Sequence, residues 1–332
     1  SVSGNTRLLG TVTVGGAVSL ASSLSVGGVA NFANTVTIAG AVSLASTLSV
    51  GGASNFASTV TVVGAGTFKD DVSVSGNTRL LGTVTVGGAV SLASTLSVGG
   101  VANFADTVTV AGAVSLASTL SVGGASNFAS TVTVVGAAAF KSNVSVSGNV
   151  DIAGNVSVGG TLFAAGGITY DGNVSVSGNL AVGGNVSVGG TLSVTGAVSL
   201  ASSLSVGGAT NLLGTVTATG NTGFLGTVRV SGATSLEAGL VVGGKAEFND
   251  DVCVSGNSQL VGTLKVTGAT TVTGNTGFLG TVRVSGATSL EAALNVTGAA
   301  LFSSTVTIAG TAIFEGDVSV SGAVNIAGNT SV

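Results

Sequence analysis

The chain has no proline, methionine, tryptophan or histidine, a single cysteine, and only 6% charged and 4% aromatic residues among 332. Without histidine the commonest general base is missing, and a lone Cys253 forms no intrachain disulfide. So little charge alongside 45% hydrophobic residues excludes a disordered segment. The formal charge is −4 and the eight basic residues are scattered along the sequence, so no basic patch for phosphates is expected and nucleic acid is not an expected partner. Gly, Ser, Thr or Asn interrupts every apolar run well short of the length that crosses a bilayer, so no membrane span is expected. The chain lacks an initiating Met and a charged-then-apolar leader, and is expected to be processed or to be part of something longer.

What is present is 56 glycines, with Val, Ala and Leu interleaved among Ser, Thr and Asn. Cut from Ser1, residues 1–332 fall into 55 consecutive hexads with no insertion, leaving Ser331 and Val332 over. Position two of the hexad is Val, Leu, Ile, Phe or Tyr everywhere except Ala164 and Ala218, and position six is Val, Leu, Ile or Ala in 42 hexads. Position four is Gly in 40. Segments such as Thr11-Val12-Thr13-Val14 alternate with the period of a strand. Gly at position four is expected to supply the backbone freedom of a bend. None of the 20 charged residues stands at position two or six, which predicts that both face a dry interior, because burying an unpaired charge is very costly. Eleven of 12 Phe stand at position two; the exception, Phe163, lies in an irregular coil near 163–171 where a bulge or a weakened coil is expected.

A single strand-and-corner hexad buries its apolar face only when copies stack. The chain therefore reads as all-β, a parallel β-solenoid of strict hexapeptide repeats. An aliphatic residue followed four positions later by a small or branched one resembles the hexapeptide repeat of left-handed parallel β-helices, in which three hexads make one triangular, 18-residue coil. At a strand spacing of about 4.8 Å, such a chain makes roughly 18 coils and a rod of about 90 Å. Residues 1–72 recur almost unchanged as 73–144, and GFLGTVRVSGATSLEA at 223 recurs at 277; both shifts are whole numbers of such coils. Against that, VxG hexads alternate with LxS or FxS, giving periods of two and four hexads that do not divide into a coil of three. The alternative is an intertwined homotrimer, a triple-stranded β-helix in which each chain supplies one side.

Strings such as TLSVGGAVSLASTLSVGG and SVSGNTRLLGTVTVGG resemble the low-complexity shafts of phage tail fibres and of large algal-virus fibre proteins. The resemblance implies an exterior, usually trimeric spacer carrying a receptor-binding tip. Similar strings occur in bacterial surface proteins, which leaves a microbial adhesin stalk or self-stacking filament open.

The chemical motifs are weak. Left-handed hexapeptide helices include acyltransferases, but those generally use a histidine base and protruding loops, and this chain has no His and no insertion, so no enzyme, catalytic residue or cofactor is expected. GNTGFLG looks faintly like a phosphate loop but lacks the following helix and Lys. Asp70-Asp71 and Asp250-Asp251 would suggest cation binding, yet equivalent hexads carry Lys141 to Asn143 and Ser303 to Thr305, so solvated corners are expected and no metal site. TVT triplets begin at Thr11, Thr35, Thr59, Thr83, Thr107 and Thr131, at every fourth hexad. In a coil of three hexads they rotate from face to face, which keeps ice binding a remote alternative. Sequons at Asn143, Asn155, Asn173, Asn185, Asn295 and Asn329 and the outward Cys253 complete the candidates.

The pattern begins at full strength at Ser1 and stops in mid-hexad, so terminal receptor-binding or anchoring domains are expected outside this segment, or else end-to-end stacking of bare strand edges. Together these readings predict a structural fibre shaft, extracellular or on a virion surface, that self-associates.

Overall fold

The computed structural model describes residues 2–331. Positions six, one and two of successive hexads form three-residue strands, positions three and four turn, and among the described residues there is no helix. Two compact units divide after Gly166. In each, strands pair in parallel with the strand three hexads on, as in Thr6↔Leu24 and Val174↔Leu192. One chain thus supplies all three faces of a parallel β-solenoid, with three hexads to each 18-residue coil.

The first unit has three faces of nine strands. They run from Thr6–Leu8 to Val150–Ile152, from Val12–Val14 to Val156–Val158, and from Val18–Leu20 to Leu162–Ala164. In the second unit the faces begin with Ile168–Tyr170, Val174–Val176 and Leu180–Val182. The ladder continues past each strand into the corner: Val42 N–H donates to the Thr59 carbonyl (2.9 Å) and Ala45 N–H to that of Val26 (3.0 Å). At position four the chain folds over, and some of these amides join the ladder too, Gly64 N–H donating to the Ser46 carbonyl (3.2 Å).

The nearly constant burial pattern, in–out–in, follows from the strand period. Each inward Val, Leu or Phe contributes roughly 1.5–3 kcal/mol by leaving water. The stack also sorts side chains by size. On the second face of the first unit the position-two ladder reads Val14, Phe32, Val50, Phe68, Val86, Phe104, Val122, Phe140, Val158. On the first face it alternates Leu and Val from Leu8 to Val134. No two Phe stack directly. Each of the 11 inward Phe also has Ala, Ser, Thr or Gly two residues earlier, so a large residue shares its strand with a small one. At Gly66 a Cβ would lie 3.3 Å from the ring of Phe68. Phe128 and Phe140, from different faces, have centroids 6.4 Å apart and meet edge-to-face, a favoured arrangement of aromatic rings. Ala102→Val beside Phe104 therefore overpacks the coil, and a loss of about 1–3 kcal/mol in denaturant unfolding is expected; an unchanged midpoint would show that the coil has slack.

The corner glycines serve a different purpose from the one the sequence suggests. Gly262, with φ of 154°, is alone in positive φ among the described residues, so the bend does not otherwise need glycine's conformational range. What the corners need is clearance from the coil before. A Cβ on Gly40 would collide with the carbonyl carbon of Ser22, and one on Gly82 would lie 2.6 Å from that of Gly64.

The 15 corners that do carry a Cβ follow a rule: none is three hexads from another. On one corner of the first unit the order is Gly4, Ser22, Gly40, Ser58, Gly76, Ser94, Gly112, Ser130, Gly148. The two-hexad alternation is thereby reconciled with a three-hexad coil. One coil is one and a half periods of the alternation, so each Ser or Asp corner rests between glycines, just as Phe32, Phe68 and Phe104 rest between valines. The same sequence feature that favoured three intertwined chains is what lets one chain stack on itself.

Two departures from regularity stand out. At Phe163 the strand Leu162–Ala164 keeps its register with Val144–Val146. Phe163 points outward and Ala164 is the inward residue, so the irregularity lies in the side chains and not in a bulge. The interior is also not uniformly apolar: the hydroxyls of Thr6, Ser54, Thr78, Ser126, Thr210, Thr222, Thr234, Ser258, Thr270, Thr276 and Thr288 are buried at position six without a hydrogen-bond partner. Ser258, Thr270 and Thr276 line a cavity of about 40 Å³ between Leu240 and Phe278.

Candidate functional site

Outward side chains at position one form ladders along each face, spaced by the strand separation of about 4.8 Å. In the first unit these are mostly Ser, Thr and Asn. Thr13, Thr37 and Thr61 of the TVT triplets fall on three different faces, paired with Asn31, Asn55 and Arg79. The longest threonine run on a described face is the pair Thr67 and Thr85. A flat threonine array does not form among the described residues, because a four-hexad repeat is out of step with a three-hexad coil.

The paired acids are occupied by backbone donors. Asp70 Oδ1 accepts from Asp71 N–H (2.9 Å), and Asp71 Oδ1 from Ala89 N–H on the next coil (2.8 Å). Asp250 and Asp251 repeat this with Asp251 N–H and Ala269 N–H. Asn at position five does the same work. Asn77 Oδ1 accepts from Thr95 Oγ1 (2.8 Å), Asn143 Oδ1 from Thr161 N–H and Asn179 Oδ1 from Ala197 N–H (both 2.9 Å). These side chains clip one coil to the next. Among the described residues no three His, Cys, Asp or Glu side chains gather as metal ligands.

All six sequon asparagines are exposed. Asn143, Asn173 and Asn185 carry coil-to-coil hydrogen bonds through Oδ1. GNTGFLG folds as strand, Thr222–Phe224 and Thr276–Phe278. Its amides serve the ladder, Thr222 N–H reaching Gly239 and Leu225 N–H reaching Val206, which leaves no cradle for a phosphate. Gly223 and Gly277 stand at outward positions with open space around them. Cys253 is exposed between Ser235 and Thr271. Tyr170 is buried, and desolvation pushes its phenol well above its ordinary value.

The basic residues are scattered in sequence, but those of the second unit gather in space. On the second-unit face that begins with Val174–Val176, the outward ladder contains Arg229, Glu247, Lys265 and Arg283 in direct succession. Lys245, at the corner leading into the Glu247 strand, forms an ion pair with that carboxylate at 3.8 Å. Four of the chain's eight basic side chains thus occupy one face. The reason is the coil period: positions 229, 247, 265 and 283 are each one coil apart, a spacing to which a contiguous reading of the sequence is blind. Of the outward surfaces described, this is the one with concentrated charge.

Searches against protein-family models, curated proteins and solved structures find no match for this chain.

Proposed function

We propose that the chain is the shaft of a structural fibre, a stiff non-catalytic spacer working outside the cell or on a virion. The observation that carries this reading is the constant coil: through both units every described turn uses three hexads, and no loop leaves the stack to shape a pocket. Backbone amides spent in parallel ladders, with glycine corners that admit no expansion, resist bending and local opening. Receptor-binding or anchoring domains joined to such a spacer would supply specificity, and self-association would set its thickness.

The test combines sedimentation of the 31.0 kDa chain with limited trypsin digestion. The expected particle is slender, as a monomer or a small defined oligomer, and survives protease although most of its Lys and Arg side chains are exposed. Rapid cleavage at Arg79 or Lys141, or a frictional ratio typical of a sphere, would refute the shaft.

A further inference from the structure

We infer that the charged ladder of the second unit is a binding site for a linear acidic polysaccharide. Arg229, Lys245, Lys265 and Arg283 bring four positive charges to a ladder whose own strands hold one negative, Glu247, on a chain whose formal charge is −4; Asp250 and Asp251 stand at the corner that follows the Glu247 strand, each accepting from a backbone N–H. Glu247 lies in register between Arg229 and Lys265, so its charge is offset from both sides as well as by Lys245. The ladder ends at neutral residues, Asn211 before Arg229 and Leu301 after Arg283.

The geometry suits an extended polymer. Arg229 and Lys265 are two strands apart, roughly 10 Å, and Lys265 and Arg283 one strand apart, about 5 Å. Such spacings match anionic groups on successive or alternate sugar rings. The ladder keeps strict register, and at its edges Thr227, Thr263, Thr281 and Asn249 are exposed, offering partners for sugar hydroxyls.

The same features disfavour other polyanions. Single-stranded nucleic acid is held by stacking on aromatic side chains, and this ladder has none. Duplex grooves are entered by a helix or β-ribbon projecting from its domain, whereas these strands lie flat in a sheet. Anionic membranes are engaged by denser basic clusters or by amphipathic elements with an inserted apolar face.

The test measures binding of the whole chain to immobilised heparin, with neutral dextran as the blank. The expected result is heparin binding that weakens steeply with salt, with no binding to dextran. The Arg229→Gln/Lys265→Gln/Arg283→Gln variant should bind about tenfold or more weakly. Lys69→Gln/Arg79→Gln/Lys141→Gln, which changes net charge equally, should stay within about twofold of the parent. Glu247→Gln should bind about two- to threefold more tightly, a gain that a misfolded chain would not give. Equal losses in the two triple variants, no gain from Glu247→Gln, no heparin binding, or tighter binding to duplex DNA or to phosphatidylserine vesicles would each overturn the assignment.

Discussion

A Gly40→Ser variant unfolds at a markedly lower denaturant concentration than Gly82→Ser, although both place the same side chain at the same corner position of the hexad. Gly40 lies between Ser22 and Ser58 on neighbouring coils, so the new Cβ would create three successive Cβ-bearing corners. Its nearest contacts would be backbone atoms of Ser22 and Ser23, which cannot move aside as a flexible side-chain tip would. Gly82 lies between Gly64 and Gly100, an arrangement the chain already accepts at Ser46, between Gly28 and Gly64. Forced overpacking of this kind costs about 1–3 kcal/mol or more. Gly40→Ser belongs at the upper end or beyond, with Gly82→Ser at least about 1 kcal/mol milder. Guanidinium titrations of both variants decide it: equal midpoints would mean that the glycine above and below a corner is irrelevant.

The second large effect runs the other way. Thr210→Val, Thr234→Val and Thr288→Val together raise stability by roughly 2–4 kcal/mol, because each removes a buried hydroxyl that has no partner while keeping the side-chain shape. The neighbouring coils already place Val228 beside Thr210, Val216 and Val252 beside Thr234, and Val306 beside Thr288. The midpoint of the denaturant curve should rise with an unchanged slope. A triple variant no more stable than the parent would show that these hydroxyls are satisfied by internal water.

Much of this architecture is legible in the sequence. The exclusion of all charge from positions two and six identifies the inward residues, and the residue-by-residue alternation around Val12 or Val36 identifies strands. Less legible is anything that depends on what lies one coil away. Gly40 reads as a bend because glycine often is one; only the position of Ser22 on the adjoining coil reveals a residue chosen for clearance. The two-hexad alternation looks opposed to a three-hexad coil until Phe32 is set beside Val50 and Ser22 beside Gly40. The candidate site is hidden for the same reason. Arg229, Lys265 and Arg283 are isolated charges along the chain, and the period that assembles them is that of the fold. Conversely Asp70-Asp71 and Asp250-Asp251, adjacent in sequence and suggestive there, turn out to be engaged with backbone amides of their own and the following coil.

The glycine and phenylalanine alternation also makes the repeat region a ruler with coarse graduations. Removing one coil, for example residues 41–58, would preserve the hexad and the turn yet set Phe32 directly on Phe68 and Asn34 directly on Asp70. Removing 41–76 would instead bring Phe32 against Val86 and Asn34 against Gly88, both permitted neighbours. Where the two-hexad alternation holds, length changes without mismatch come in steps of two whole coils, the shortest stretch that contains complete numbers of both periods. The duplication of residues 1–72 as 73–144 is two such steps.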